Sequence, residues 1–290
     1  MATSGGDHRP AEPATTRAPV GAQESALDIM GLLDEARAEL ADTRGRLAGS
    51  EQRSAREREL ALRLQRAIMP PVVRLMATAG VDVAASCRPA RPGSLIAGDW
   101  YDALQLPDGD LLFVVGDIAG HGIEAVAGMV AVRHALRGLA ATGAEPDELI
   151  GTLNRATCLF AEGVTGTVIC GRYTPSSRVL RWARAGHQPL MLVRGGCAEV
   201  QPMPEGMLLG VRPEGSYAQL RLELRSGDTL LFYTDGIVER RAASLSDTLT
   251  EFAVAAVPVG PDLDRHVAGI LDGAVSDTGD DACLLAVRVL

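Results

Sequence analysis

From Val81 onward the chain runs as short β-rich stretches, each bounded by Gly, Pro or Asp and interleaved with stretches of helical apolar periodicity. This alternation narrows the fold more than any other feature. The expected strands are Val81–Cys87, Leu111–Gly116, Gly166–Tyr173, Val179–Ala185, Leu190–Arg194, Gln219–Leu224, Thr229–Thr234 and Cys283–Val289. Expected helices lie near Gly122–Ala140, Pro146–Glu162, Leu245–Val257 and Leu263–Val275, with Met129, Leu136 and Leu139 at core spacing. Several strands follow one another through turns of hairpin length, Thr174 to Ser177 and Ala185 to Pro189, so the sheets should be largely antiparallel. The expected class is α+β, an αββα sandwich of two mainly antiparallel sheets flanked by helices.

Two segments of different composition precede this domain. Residues 1–24 are rich in Pro, Ala, Thr and Gly and carry too little apolar surface to offset ordering entropy, so a disordered tail is expected. Residues 25–70 turn to Ala, Leu, Glu, Arg and Gln, with Leu33, Leu40, Leu47, Ser54, Ala61 and Ile68 at a strict spacing of seven. That spacing predicts a helix with a coiled-coil seam, serving as a homodimer contact or a partner-binding helix. The companion heptad position reads Ile29, Ala36, Thr43, Ser50, Glu57 and Leu64, which makes the seam a weak one. Pro70-Pro71 stops the helix, and residues 71–290 form the main domain.

Composition excludes several classes of function. All 28 basic residues are Arg, and the absence of Lys rules out the phosphate loop G-x-x-x-x-G-K-[ST]. Residues 77–290 hold 17 Arg against 26 acids, a surplus that argues against nucleic-acid binding. No apolar run approaches the roughly 18 residues of a spanning helix, and the N-terminus shows no apolar export region. Five Cys without C-x-x-C spacing point to a reducing, cytoplasmic compartment. No Cys is followed by Arg six positions later, so a thiol phosphatase loop is absent.

The acids concentrate at the mouths of apolar runs. Asp117 ends Leu112–Gly116, Asp235 ends Leu230–Thr234, Asp281 opens Ala282–Val289, and Asp99 lies in Ala97-Gly98-Asp99-Trp100-Tyr101-Asp102. Singly, each reads as a turn residue or helix cap. Gathered together, four carboxylates repel one another unless a divalent cation sits among them, and oxygen ligands without His or Cys select Mg²⁺ or Mn²⁺. Gly116, Gly120, Gly122 and Gly236 beside these acids permit close backbone approach or plain tight turns. His121 and His187 sit in Gly-flanked loops, where each reads as a proton donor to a leaving group or as a loop hydrogen bond. Asp102, Glu239 and Asp280 neighbour the candidate ligands and read as supporting or capping residues; Arg88 and Arg91 read as phosphate-steering or solvated.

The segments AGDWYD (97–102), VVGDIAGHG (114–122), RAGHQP (184–189), LLGV (208–211), LLFYTDGIVE (230–239) and GDDACLLAV (279–287), following LQRAIMPP, resemble the SpoIIE/RsbU-type branch of the metal-dependent PPM serine/threonine phosphatases. The resemblance spans roughly residues 65–290 and departs from the family pattern at Ala97 (usually Gly) and Ala119 (usually Ser). It implies that Asp117 bridges two Mn²⁺ or Mg²⁺ ions. Asp99 and the Ile118 carbonyl would complete one site, and Asp235 with Asp281 the other. Two ions about 3.5–4 Å apart would activate water for in-line attack on a phosphate. The implied substrate is a phosphorylated anti-sigma-factor antagonist in a partner-switching pathway, with input from an upstream activator protein. An inactive phosphatase-fold adaptor binding a phosphoprotein as a coiled-coil dimer is the alternative from another class, and a hydrolase of small phosphoesters is a third. All four Asp positions are filled, which favours the enzyme.

Overall fold

The structure, a computed structural model, describes residues 39–40, 43–47, 56, 80–88, 98–241, 243–274 and 279–290. The chain divides into two compact units at Glu57. In the first unit, residues 39–40, 43–47 and 56 are helical and exposed, and Thr43 Oγ1 donates to the Glu39 carbonyl one turn back at 2.8 Å. The expected tail at 1–24 and the rest of the heptad segment lie outside the described residues.

In the second unit the described elements are, in chain order, β1 (Val81–Arg88), β2 (Trp100–Gln105), β3 (Leu111–Ile118), α1 (Ile123–Ala140), α2 (Pro146–Phe160), β4 (Gly166–Thr174), β5 (Val179–Ala185), β6 (Met191–Arg194), β7 (Cys197–Val200), β8 (Gln219–Glu223), β9 (Thr229–Tyr233), a single 3-10 turn Asp235–Ile237, α3 (Leu245–Ala255), α4 (Leu263–Gly273) and β10 (Ala282–Val289). One sheet has the order β1-β10-β9-β6-β7 and the other β2-β3-β4-β5-β8. Every strand pairing within them is antiparallel.

The central strands read as continuous apolar runs because both faces are covered. In β3, Leu111, Phe113 and Val115 join the core between the sheets with Ile169, Trp182, Phe232 and Leu285. Leu112 and Val114, on the opposite face, pack with Met129, Leu136, Leu149 and Leu153 of α1 and α2. The outer face of the other sheet, with Leu231, Tyr233 and Leu284, packs on Phe252 of α3 and Val267 and Ile270 of α4. Each such side chain contributes about 1.5–3 kcal/mol by leaving water, which is how three apolar layers hold four structural layers together. The αββα sandwich is therefore what the strand and helix pattern implies.

Helix ends follow local chemistry. Pro146 opens α2 with Asp147 and Glu148 in its first turn. Ser244 and Asp262 cap α3 and α4 by accepting from the Asp247 and Arg265 amides at 3.2 and 3.0 Å.

Two strands, β2 and β7, have no counterpart in the sequence reading. β2 carries Asp102, which a strand tolerates poorly. Here Asp102 is buried and paired with Arg133 Nη2 at 3.1 Å and Arg137 Nη1 at 2.8 Å, so it fastens β2 to α1 instead of serving the acidic motif beside it. β7 is a four-residue edge strand, too short to show a period and largely exposed. The register sets Cys87 directly opposite Cys283, and the two are joined by a disulfide across 196 residues, a pairing that cysteine spacing does not announce and that runs against the expectation of cysteines kept reduced. Among the described residues no helix is long and apolar enough to cross a membrane.

Candidate active site

The two sheets bring their acids to one place by register. Trp100 pairs with Gly116, so one further step of the β2–β3 ladder sets Asp99 against Asp117. Tyr233 pairs with Leu284, so the β9–β10 ladder continues to Thr234 opposite Cys283 and carries Asp235 and Asp281 to its end. Thr234 ties the two sheets together. Its amide donates to the Cys283 carbonyl at 3.0 Å, its hydroxyl accepts from the Cys283 amide at 2.8 Å, and that hydroxyl donates to Asp99 Oδ2 at 2.7 Å.

Two glycines make the approach close enough. A Cβ on Gly98 would lie 2.4 Å from the Ile118 carbonyl oxygen and 3.4 Å from Asp117 Oδ1. A Cβ on Gly236 would lie 1.9 Å from the Asp281 carbonyl oxygen. Any side chain at either position would push one acid away from the others. The loop after Asp117 is held by the Ala119 amide donating to Thr165 at 2.9 Å and turns through positive φ at Gly120 and Gly122.

Gathering these groups out of water raises their proton affinity. Asp99, only 2% exposed, is pushed well above the usual carboxylate range by burial first and then by Asp117, Asp235 and Asp281, with the Thr234 hydroxyl opposing. Asp117 is raised by burial and by Asp280 and Asp281, against the lowering effect of its hydrogen bond with Asp99. Asp235 is raised to about 6 by burial, then by Asp117, Asp280 and Glu239. Carboxylate oxygens of Asp235, Glu239 and Asp280 come within 4.8 Å of one another. A site whose anions resist their own charge, and whose donors among the described residues are hard carboxylate and carbonyl oxygens, fits a divalent cation of the Mg²⁺ or Mn²⁺ kind.

The family model for SpoIIE, stage II sporulation protein E, matches residues 107–290. The chain belongs to the SpoIIE family. Among curated relatives it is 24% identical over 197 residues to phosphoserine phosphatase RsbU of Bacillus subtilis (strain 168), covering 67% of this chain and 57% of the relative. It is 23% identical over 232 residues to protein IcfG of Synechocystis, covering 68% of this chain and 36% of that one. The chain thus spans little more than half of RsbU and about a third of IcfG. Among solved structures, the RsbU and RsbW domains of Rv1364c from Mycobacterium tuberculosis match with a TM-score of 0.66 and 32% identity, over 72% of this chain and 60% of that one. The PP2C phosphatase domain with a fragment of the regulatory domain of SpoIIE from Bacillus subtilis matches with a TM-score of 0.62 and 17% identity, over 72% and 63% of the two chains, a likeness of fold.

Within this SpoIIE-family site, Asp99, Asp117, Asp235 and Asp281 are close enough to perturb one another. Asp280 and Glu239, read from sequence as supporting residues, join Asp235 directly. Thr234 was not singled out, since a Thr ending a strand looks like any other β-former; its one distinguishing signal is its place immediately before Asp235. His187 is 1% exposed and both ring nitrogens are engaged. Nδ1 accepts from Thr167 Oγ1 at 2.7 Å and Nε2 donates to the Tyr233 carbonyl at 3.0 Å. Burial lowers its pKa to about 3, so it is a neutral brace between β4 and β9 beneath the acids. His121 is exposed on the loop after Asp117. Arg88 is taken up by Asp272 and the Leu271 carbonyl on α4, and Arg91 lies outside the described residues.

Proposed function

We propose that this chain is a metal-dependent protein phosphatase that hydrolyses phosphoserine or phosphothreonine on a phosphorylated anti-sigma-factor antagonist, acting in the cytoplasm within a partner-switching pathway. The observation that carries the reading is the convergence of Asp99, Asp117, Asp235 and Asp281 from both sheets at one edge, where burial and the neighbouring acids raise the proton affinity of Asp99, Asp117 and Asp235. RsbU, a relative of this chain, is a phosphoserine phosphatase by name, which supports the same class of substrate.

Asp99, Asp117 and the Ile118 carbonyl would hold one cation, and Asp117, Asp235 and Asp281 a second, with Asp280 and Glu239 adding negative charge beside Asp235. Two divalent cations held there would supply Lewis acidity to a water nucleophile and to the phosphoryl oxygens. The protein's own groups do the rest. Thr234 holds Asp99 in orientation, Gly98 and Gly236 keep the carbonyl of Ile118 and the strand of Asp281 at close range, and the His187 brace sets the spacing of β4 from β9. With both nitrogens of His187 occupied, His121 is the imidazole left to protonate a serine leaving group. The heptad segment at 25–70 would act as a homodimer contact through which an upstream activator protein sets activity.

The test is phosphate release from a phosphorylated antagonist protein and from p-nitrophenyl phosphate, with Mn²⁺, with Mg²⁺ and with EDTA. Turnover of the phosphoprotein that requires the cation and is abolished by EDTA is expected. Turnover confined to p-nitrophenyl phosphate makes the chain a small-phosphoester hydrolase, and tight phosphoprotein binding without turnover makes it an adaptor; either result refutes the proposal.

A further inference from the structure

A groove of about 620 Å³ opens directly beside the candidate site, between the loop after Asp117 and the ends of α1 and α2. Ile118, whose carbonyl is a candidate ligand, lines it together with His121, Glu124, Phe160 and Glu162. Small residues of α1, among them Ala127, Gly128 and Ala131, leave its wall open.

Its rim is unusual in two respects. Phe160, the last residue of α2, lines the groove and is 85% exposed, and the chain neighbours of the lining residues Glu124 and Phe160, Ile123 and Leu159, are 81% and 68% exposed. An isolated exposed apolar side chain needs no explanation, but a bare Phe in a groove with two more large apolar residues next to its lining in the chain marks a surface that another molecule covers. The groove's carboxylates are unpaired: Glu124 and Glu162 both line the groove, and neither has an Arg partner among the described ion pairs. No Arg lines the groove among the described residues, so it does not compete with the metal-binding acids for the phosphate.

We propose that this groove is the specificity surface of the enzyme: it seats the stretch of substrate protein that flanks the phosphorylated residue, and that stretch carries apolar side chains next to Arg or Lys. The inference rests on the phosphatase reading above for its orientation, since the phosphate must reach the acids while the flanking residues lie along α1 and α2. Phe160 and Ile123 supply apolar contact, and Glu124 and Glu162 pair with the basic side chains. Phe160, Ile123, Glu124 and Glu162 therefore act on substrate affinity and leave the chemistry at the acids unchanged.

The experiment uses the full chain with Mn²⁺ and two phosphoserine peptides, one flanked by Leu and Arg, the other by Ser and Glu, alongside p-nitrophenyl phosphate, which is too small to reach the groove. The wild type is expected to show at least a tenfold lower KM for the basic, apolar peptide. Phe160→Ser and Glu162→Arg should each bring the two peptides to within about threefold of one another, with kcat/KM on p-nitrophenyl phosphate held within twofold. Equal KM for the two peptides in the wild type, a preference that survives both substitutions, or a parallel loss on p-nitrophenyl phosphate would each overturn the groove. Peptide dissociation constants for the same variants separate the two proposals: a chain that turns over nothing but loses the peptide preference on substitution retains the groove and loses the phosphatase reading.

Discussion

Half-buried Asp117 and buried His187 do opposite jobs in the site, and substitutions separate them. Asp117 stands where the carboxylates crowd, so Asp117→Asn removes a charge that the cation-free protein holds against repulsion. Its Tm without metal should be unchanged or higher, while turnover with Mn²⁺ falls by more than about 100-fold, since the residue meant to touch both ions has lost its charge. Retention of a tenth of wild-type activity would remove Asp117 from the bridging position. His187 answers to packing instead. His187→Ala leaves the Thr167 hydroxyl and the Tyr233 carbonyl without partners in a sealed interior and opens a cavity, for a cost of about 2–4 kcal/mol measured by denaturant unfolding. His121→Ala should leave stability alone and slow phosphoserine turnover by about 100-fold, with little effect on p-nitrophenyl phosphate, whose leaving group needs no proton. Equal slowing on the two substrates would show that His121 does not protonate the leaving group.

At the scale of elements, the long apolar strands and the four helices were legible because each must bury one or both faces, and burial writes a period into the sequence. The acids stand out for the complementary reason: one carboxylate at the mouth of an apolar run is an ordinary turn or capping residue, and four of them are more than those roles call for. β2 was hidden because Asp102 breaks its pattern, and only the fold reveals that Arg133 and Arg137 on α1 neutralise it. The Cys87–Cys283 pairing was hidden because it depends on the register of β1 against β10 across almost the whole domain. The parts played by Asp280 and Glu239 beside Asp235 depend on how the 3-10 turn after β9 meets the start of β10, and adjacency in sequence does not encode that. Thr234 shows how far such a hidden element contact reaches: one hydroxyl joins β9, β10 and the acid before β2. Thr234→Val keeps the shape and removes both bonds, so metal affinity measured by calorimetric titration should fall about 10- to 100-fold, with a loss of about 1–3 kcal/mol in stability. Unchanged affinity would mean that Asp99 is oriented by something other than this hydroxyl.

For the whole molecule, the same crowding makes stability depend on pH and cations together. Asp235 titrates at about 6 in the folded protein against 3.8 for an ordinary Asp, so the folded state binds its proton more tightly than the unfolded chain does. The stabilisation from that proton is complete below about pH 4 and is lost as pH rises through about 6. Asp99 and Asp117 are shifted in the same direction. His187 works against them, because a histidine lowered to about 3 favours folding above pH 6.5 and loses that advantage as pH falls toward 3. Absolute stability against pH therefore mixes two opposed slopes. The difference between Mn²⁺-loaded and EDTA-treated protein cancels the His187 contribution, since that ring lies sealed beneath the site in either state, and isolates the carboxylates. Cations bind only the ionised acids of the folded state and stabilise by mass action. The Mn²⁺-induced rise in Tm should accordingly be several degrees at pH 7.5, where the cluster is charged and strained, and should shrink toward zero at pH 5, where protons occupy the same oxygens. A rise of equal size at both pH values would show that the cation binds elsewhere than among Asp99, Asp117, Asp235 and Asp281.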